Sequence, residues 1–263
     1  MKFTRPLIMG ILNITPDSFS DGGLYLAPKS AFQRIEEMIC EGADIIDVGG
    51  ESTKPGSLCI SEDEEMKRVK PIIDHISKFY IHQNVLFSID THKVSVARYA
   101  LAHGFKIVND VTALRGNPSM IETLLAYKSY IVLMYLKNKN AHATKNNKEY
   151  HDVIASIKTF LRNRIRFLEK CGFPKKKIII DPGMGAFVST NKKYSYEIIE
   201  RLSELKELGH LILVGISRKM EGSSLDEKDN LSVALTKKAV EHGASLIRTH
   251  DVARTIKALH ALR

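Results

Sequence analysis

Along this chain Asn13, Asp47, Glu51, Asp90, Asn109, Asp110, Asp181, Ser217, Lys219, Arg248, His250 and Asp251 each stand at or just beyond the end of a short apolar run. Their types sort chemically. Asp90, Asn109 and Asp181 supply carboxylate and amide groups suited to a planar ligand edge rich in N–H donors. Lys219, Arg248 and His250 supply cations and donors suited to oxyanions and ring acceptors. Together they describe a bipolar small-molecule site. Any one of them reads equally well as a turn or helix cap, and for Asp110 and Asp251, each before helix-like sequence, both readings stay open. The set as a whole resists the capping reading, because gathering charged groups in one place costs desolvation for each. No Ser-His-Asp order, Cys-His pair or H-E-x-x-H segment points to covalent or zinc catalysis.

The elements that must position these residues are "PLIMGILNIT", "ADIIDVGGES", "VLFSIDT", "KIVNDV", "YIVLMYL", "KIIIDPG", "LILVGIS" and "SLIRTHD". Their near-continuous apolarity suits strands of a parallel sheet covered on both faces. Amphipathic stretches between them predict helices over 30–41, 62–79, 93–103, 150–171, 195–208 and 230–242. Gly42, Gly104, Gly172, Gly209 and Gly243 stand where helices stop. Eight strand-helix units in 263 residues, with no Pro- or Ser-rich linker, predict one α/β domain over 1–263, a single (β/α)8 TIM barrel. Such a barrel carries its chemistry at the C-terminal strand ends, where the polar residues fall. Only the fifth run, ending "LMYLKN", is mostly apolar there. A doubly wound open sheet is the alternative, but no G-x-G-x-x-G or Walker-type turn follows an early strand.

A hydrophobic content of 44% supports a full core. The net charge of +9 is concentrated in 137–148 and 175–177, without interleaved aromatics or nucleic-acid motifs. These stretches read as solvated loops, no nucleic-acid partner is expected, and the basic balance favours small anionic substrates. Cys40, Cys59 and Cys171 are odd in number and scattered, which predicts neither a disulfide framework nor a structural zinc and suits a reducing, cytoplasmic compartment. The N-terminal apolar run is too short for a signal peptide or a membrane span. "TPDSFSDGG" and "GGESTKPGS" have the Gly, Pro and Ser of mobile covers.

Read in order, "GILNITPDSFSDGG", "GADIIDVGGESTKPG", "FSIDTHK", "IVNDVTAL", "DPGMG", "GISRK" and "RTHDV" resemble the dihydropteroate synthase family of pterin-binding enzymes over essentially the whole chain. The resemblance implies a barrel that joins 4-aminobenzoate to the methylene carbon of 7,8-dihydropterin pyrophosphate, releasing pyrophosphate and forming 7,8-dihydropteroate for folate synthesis. It implies that Asn13, with Mg2+, contacts the pyrophosphate and is the metal ligand, beneath a first cover over 15–23. It places the pterin edge on Asp181 and Asn109, Asp90 deeper in the pocket, Lys219 at the ring oxygen and N5, and Arg248 stacked on the ring and, with His250, on phosphate. Thr53, Lys54 and Pro55 of the second cover, with Phe187 and Ser217, complete the pyrophosphate and aminobenzoate side. Catalysis falls to Asp90, Lys219, Arg248 and His250, through a dissociative route in which pyrophosphate leaves before the amine attacks.

The resemblance further implies a homodimer and a sulfonamide target. Three positions depart from the family pattern: Lys54 stands for the usual Arg, "DPGMGAFVST" for "D-P-G-x-G-F-G-K", and Met220 for the Ser after "S-R-K". Two other activities share the barrel, a non-catalytic pterin-binding paralogue and a methyltetrahydrofolate-corrinoid methyltransferase. The latter needs no pyrophosphate clamp, which "TPDSFSDGG", "STKPG" and "SRK" resemble.

Overall fold

The computed structural model describes residues 5–15, 23–137, 142–143, 147–216 and 225–261, with backbone only for 23–27 and 225–230. Eight strands close a barrel in chain order: β1 (Leu7–Asn13), β2 (Ile45–Gly49), β3 (Leu86–Asp90), β4 (Ile107–Asp110), β5 (Tyr130–Met134), β6 (Ile178–Asp181), β7 (Leu211–Val214) and β8 (Leu246–Thr249). Every neighbouring pair is parallel, and β8 returns to β1 with Met9 opposite Arg248. The expected TIM barrel is the observed fold.

The strand pleat divides the core in two. Inward residues Met9, Ile45, Ile107, Val132, Ile179, Leu213 and Leu246 fill the barrel floor. Outward residues such as Ile46, Val48, Phe87, Ile89, Ile131, Leu133, Ile180 and Ile247 meet the helices in the larger cluster. This explains the continuous apolar runs, since both faces are buried.

The helices are α1 (Gly23–Cys40), α2 (Glu62–Phe79), α3 (Val94–Ala102), α4 (Ser119–Ala126), α5 (Val153–Lys170), α6 (Lys193–Glu200), α7 (Leu225–Glu241) and α8 (Val252–His260). Helix α2 has the expected bounds, and Ser61 caps it by accepting from the Glu64 N–H. Each glycine stop takes a positive φ: 94° at Gly42, 97° at Gly104, 79° at Gly172, 73° at Gly209 and 107° at Gly243.

The short helices α4 and α8 complete the eight expected strand-helix units, and two expectations need correction. The stretch 195–208 is not one helix, because α6 ends at Glu200 and a 3-10 helix, Leu202–Leu208, follows. There Leu202, Leu205 and Leu208 are all buried, and their spacing of three is the period of a 3-10 helix. Nor is 137–148 wholly solvated, since Lys148 is buried and its Nζ lies 3.5 Å from the carbonyl oxygen of Phe187. Burial pushes the Lys148 ammonium below its usual range, and Lys137 adds to the effect. Among the described residues no helix is long and apolar enough to cross a membrane.

Candidate active site

On several strands the inward face changes from apolar to polar in one pleat. Ile45 is followed two residues later by Asp47, Ile107 by Asn109, Ile179 by Asp181 and Leu246 by Arg248. Asn13 ends β1 opposite Gly49, which in turn lies opposite Asp90. A Cβ at Gly49 would lie 3.4 Å from the Asp90 Cβ, in van der Waals contact with it. On β5 the corresponding residue is Met134, buried and apolar as its run suggested.

These strand ends open on a cavity of about 1060 Å³. Asn13, Thr53, Lys54, Pro55, Asp90, Asn109, Asp181, Phe187, Arg248 and His250 all line it. Ser217, Lys219, Met220 and most of the first cover lie outside the described residues. Asp110 and Asp251 have structural duties instead. Asp110 accepts from the Thr112 N–H and hydroxyl and from the Leu114 N–H, and Asp251 caps α8 by accepting from the Arg254 N–H.

At the centre of the mouth, Arg248 joins two carboxylates. Its Nε donates to Asp47 Oδ2 at 2.7 Å and its Nη2 to Asp90 Oδ2 at 2.7 Å. Asn109 Nδ2 donates to the same Asp47 oxygen at 2.9 Å, while Asp47 Oδ1 is buried without a hydrogen-bond partner. Burial raises the Asp90 carboxyl to about 7, with Asp47, Glu65 and Asp110 adding to the rise and Arg248 opposing it. Arg248 is held firmly charged: burial opposes ionisation, but Asp47 and Asp90 outweigh it. On β6, Asp181 Oδ1 accepts from the Gly183 N–H at 2.7 Å.

The second cover is anchored beside this network. Lys93 Nζ donates to Glu51 Oε2 at 2.8 Å and to Glu65 Oε2 at 2.5 Å. Burial alone would raise Glu51, but Lys93 and the Ile60 N–H outweigh it and hold the carboxyl below its usual range. The Thr53 carbonyl accepts from the Ala143 N–H at 3.1 Å. Phe187, in the 3-10 turn Gly185–Phe187, packs with Val111, Met134, Leu136 and Ala143 and so forms an apolar wall.

Lys93, Glu65 and Arg34 were not singled out from the sequence. Glu65 sits within the acidic first turn of α2, which reads as a solvated cap although Glu65 is fully buried. Arg34 reaches the cavity from α1, donates to the His250 carbonyl and pairs with Glu41 and Glu37. An i,i+3 pair with Glu37 was visible in the sequence, but it signals an exposed helix face as readily as a site.

A closed barrel with a polar, two-signed cavity at its strand ends is the frame of a pterin-binding protein. The chain belongs to the pterin binding enzyme family, whose model matches residues 9–250. It is similar to the dihydropteroate synthase of Streptococcus pyogenes, 40% identical over 252 residues covering 93% of this chain and 90% of that protein. Among solved structures, Xanthomonas albilineans dihydropteroate synthase with 4-aminobenzoic acid is 37% identical, with a TM-score of 0.88 over 98% of this chain and 92% of that one. The same organism's enzyme in complex with 7,8-dihydropteroate is 34% identical, with a TM-score of 0.85 over 100% and 94%. These relatives favour neither of the alternative activities.

Proposed function

We propose that this cavity performs the dihydropteroate synthase reaction, joining 4-aminobenzoate to (7,8-dihydropterin-6-yl)methyl diphosphate to give 7,8-dihydropteroate and pyrophosphate. The observation that carries the reading is the juxtaposition, in one cavity, of the acidic Asp90–Asn109–Asp181 side with Arg248, His250 and the Thr53–Lys54–Pro55 cover. Asp181 and Asn109 take the N–H-rich pterin edge, and Asp90 stabilises positive charge as the methylene C–O bond breaks. Arg248 has committed Nε and Nη2 to the two aspartates, which leaves Nη1 to meet an oxyanion beside His250. The arylamine nitrogen then forms the C–N bond and gives up a proton to solvent. Phe187 and the second cover hold the arylamine and exclude water.

The residues fit Mg2+ held chiefly by substrate phosphates. Asn13 offers a hard amide oxygen at the mouth, whereas Asp47 and Asp90 are tied to Arg248 and form no cage. Bound there, Mg2+ neutralises the leaving pyrophosphate. The whole chain serves as one catalytic domain and works as a homodimer. Sulfonamides, as mimics of 4-aminobenzoate, compete for its pocket. Three exposed free cysteines, Cys40, Cys59 and Cys171, suit the cytoplasm.

The test is to incubate the protein with the pterin diphosphate, with and without 4-aminobenzoate, and measure pyrophosphate and dihydropteroate together. Stoichiometric formation of both, dependent on the arylamine, is expected. Tight pterin binding with no product from any arylamine would establish a non-catalytic binding protein instead.

A further inference from the structure

At the edge of the catalytic cavity, the second cover meets the segment after β5 at a cluster of metal-ligand atoms. His142 Nε2 lies 3.1 Å from Glu51 Oε1 and 3.2 Å from Cys59 Sγ. All three ligand atoms fall within 4.8 Å of one another. A tetrahedral zinc centre with bonds of about 2.0 to 2.3 Å places its ligand atoms roughly 3.3 to 3.8 Å apart, so the two histidine distances need only a slight expansion to take the ion.

The surroundings prepare these atoms for a cation. His142 Nδ1 faces the Ser57 carbonyl oxygen at 3.1 Å and the Ser57 hydroxyl at 3.2 Å. An Nδ1–H donated to that carbonyl leaves the Nε2 lone pair directed at a carboxylate oxygen and a sulfur. A carboxylate oxygen, an imidazole nitrogen and a sulfur then converge on one point, where a cation can take the place of the thiol proton. The same outer contact is the one that orients metal-bound histidines generally. Glu51 is itself fixed, with Oε2 on Lys93 and Oε1 also receiving the Ile60 N–H at 3.1 Å. Cys59 is exposed and gives the ion a path in.

We propose that Glu51, Cys59 and His142 bind a zinc-like divalent cation, with a fourth position open to water, and that this ion pins the second cover to the segment after β5. One thiolate, one imidazole and one carboxylate select a borderline-soft ion such as Zn2+ or Co2+ over Mg2+ or Ca2+. On binding, the Cys59 thiol releases its proton to solvent and a metal–sulfur bond forms. Glu51 and Thr53 line the catalytic cavity, so the ion sets the cover's position beside it. The sequence shows no metal-ligand spacing because the ligands come from separate loops. The expectation of no zinc therefore concerned local motifs alone.

The test uses the untagged full chain, stripped of metal and titrated with Co2+, followed by competition with Zn2+. Expected are saturation at one ion per chain, a thiolate-to-cobalt charge-transfer band, and slowed hydrogen exchange over 52–60 on Zn2+ addition. Cys59→Ser should remove the band and weaken Zn2+ binding by well over the roughly tenfold that even outer contacts cost. His142→Ala should weaken it similarly. Cys171→Ser should change nothing. Absence of the band in the unaltered chain, or its survival in Cys59→Ser, overturns the proposal. Because Cys59 is exposed, its serine variant tests binding without disturbing the core.

Discussion

The floor and the mouth of this barrel differ by a single pleat. Ile45, Ile107, Ile179 and Leu246 are between 1% and 3% exposed, and two residues further along the same strands come Asp47, Asn109, Asp181 and Arg248. Asp47, Asn109 and Asp181 are almost as dry, at 0%, 4% and 7%. What separates the layers is therefore partnership more than solvent. A floor side chain contributes roughly 1.5 to 3 kcal/mol through apolar burial alone. A mouth side chain is tolerable only because another polar group meets it, as Arg248 meets Asp47 and Asp90. The floor thus stabilises the barrel while the mouth holds charged groups ready for a ligand.

The comparison breaks most severely at Arg248. Arg248→Ala leaves Asp47 and Asp90 buried without their cation, and should destabilise the protein by about 3 to 5 kcal/mol as well as abolish synthesis. Urea unfolding checks this, and a loss below about 1 kcal/mol would show that the pairing is dispensable.

Asp90 sharpens the comparison through pH. Its carboxyl is raised to about 7, chiefly by burial, so the ionised form is lost as pH falls through that value. If the carboxylate supports the pterin cation, kcat/KM should drop about tenfold per pH unit below 7, and Asp90→Asn should flatten that limb. The stability effect has the opposite sense. A carboxyl whose folded value is raised contributes stability fully present below its ordinary value near 4 and lost as pH rises through 7. Asp90→Asn should remove this decline from a series of unfolding curves.

The smallest effect belongs to Lys54, exposed on the second cover and at the cavity edge. Lys54→Arg supplies a bidentate fork, and should lower the KM of a substrate by a factor of about two to five with kcat unchanged. Steady-state kinetics with each substrate varied decides which one it touches.

Much of this was legible in the sequence because strand ends, glycine stops and polar exits are local signals. Gly42 and Gly243 declare helix ends by themselves, and Asn109 and Asp181 stand out against apolar runs. Pairings that join distant elements left no such signal. Nothing local tells that Glu65, in a run of acidic residues, is buried against Lys93, or that Arg248 spans to Asp47 and Asp90. The break after Glu200 escaped for another reason, since leucines three apart fit the face of an α-helix as well as a 3-10 helix. The even reading of Asp110 and Asp251 resolved toward turn and cap, because each has backbone N–H groups within reach.

The central claim, that one pleat separates fold from ligand, is tested most directly on β6 by titration calorimetry with the dihydropterin diphosphate. Asp181→Asn keeps an Oδ1 for the Gly183 N–H but loses its charge, so affinity should fall by about 10²-fold or more. Ile179→Ala, two residues earlier, should cost about 2 to 4 kcal/mol of folding stability and leave that affinity within a factor of about two. Unchanged binding in Asp181→Asn, or a comparable loss in Ile179→Ala, would contradict the account.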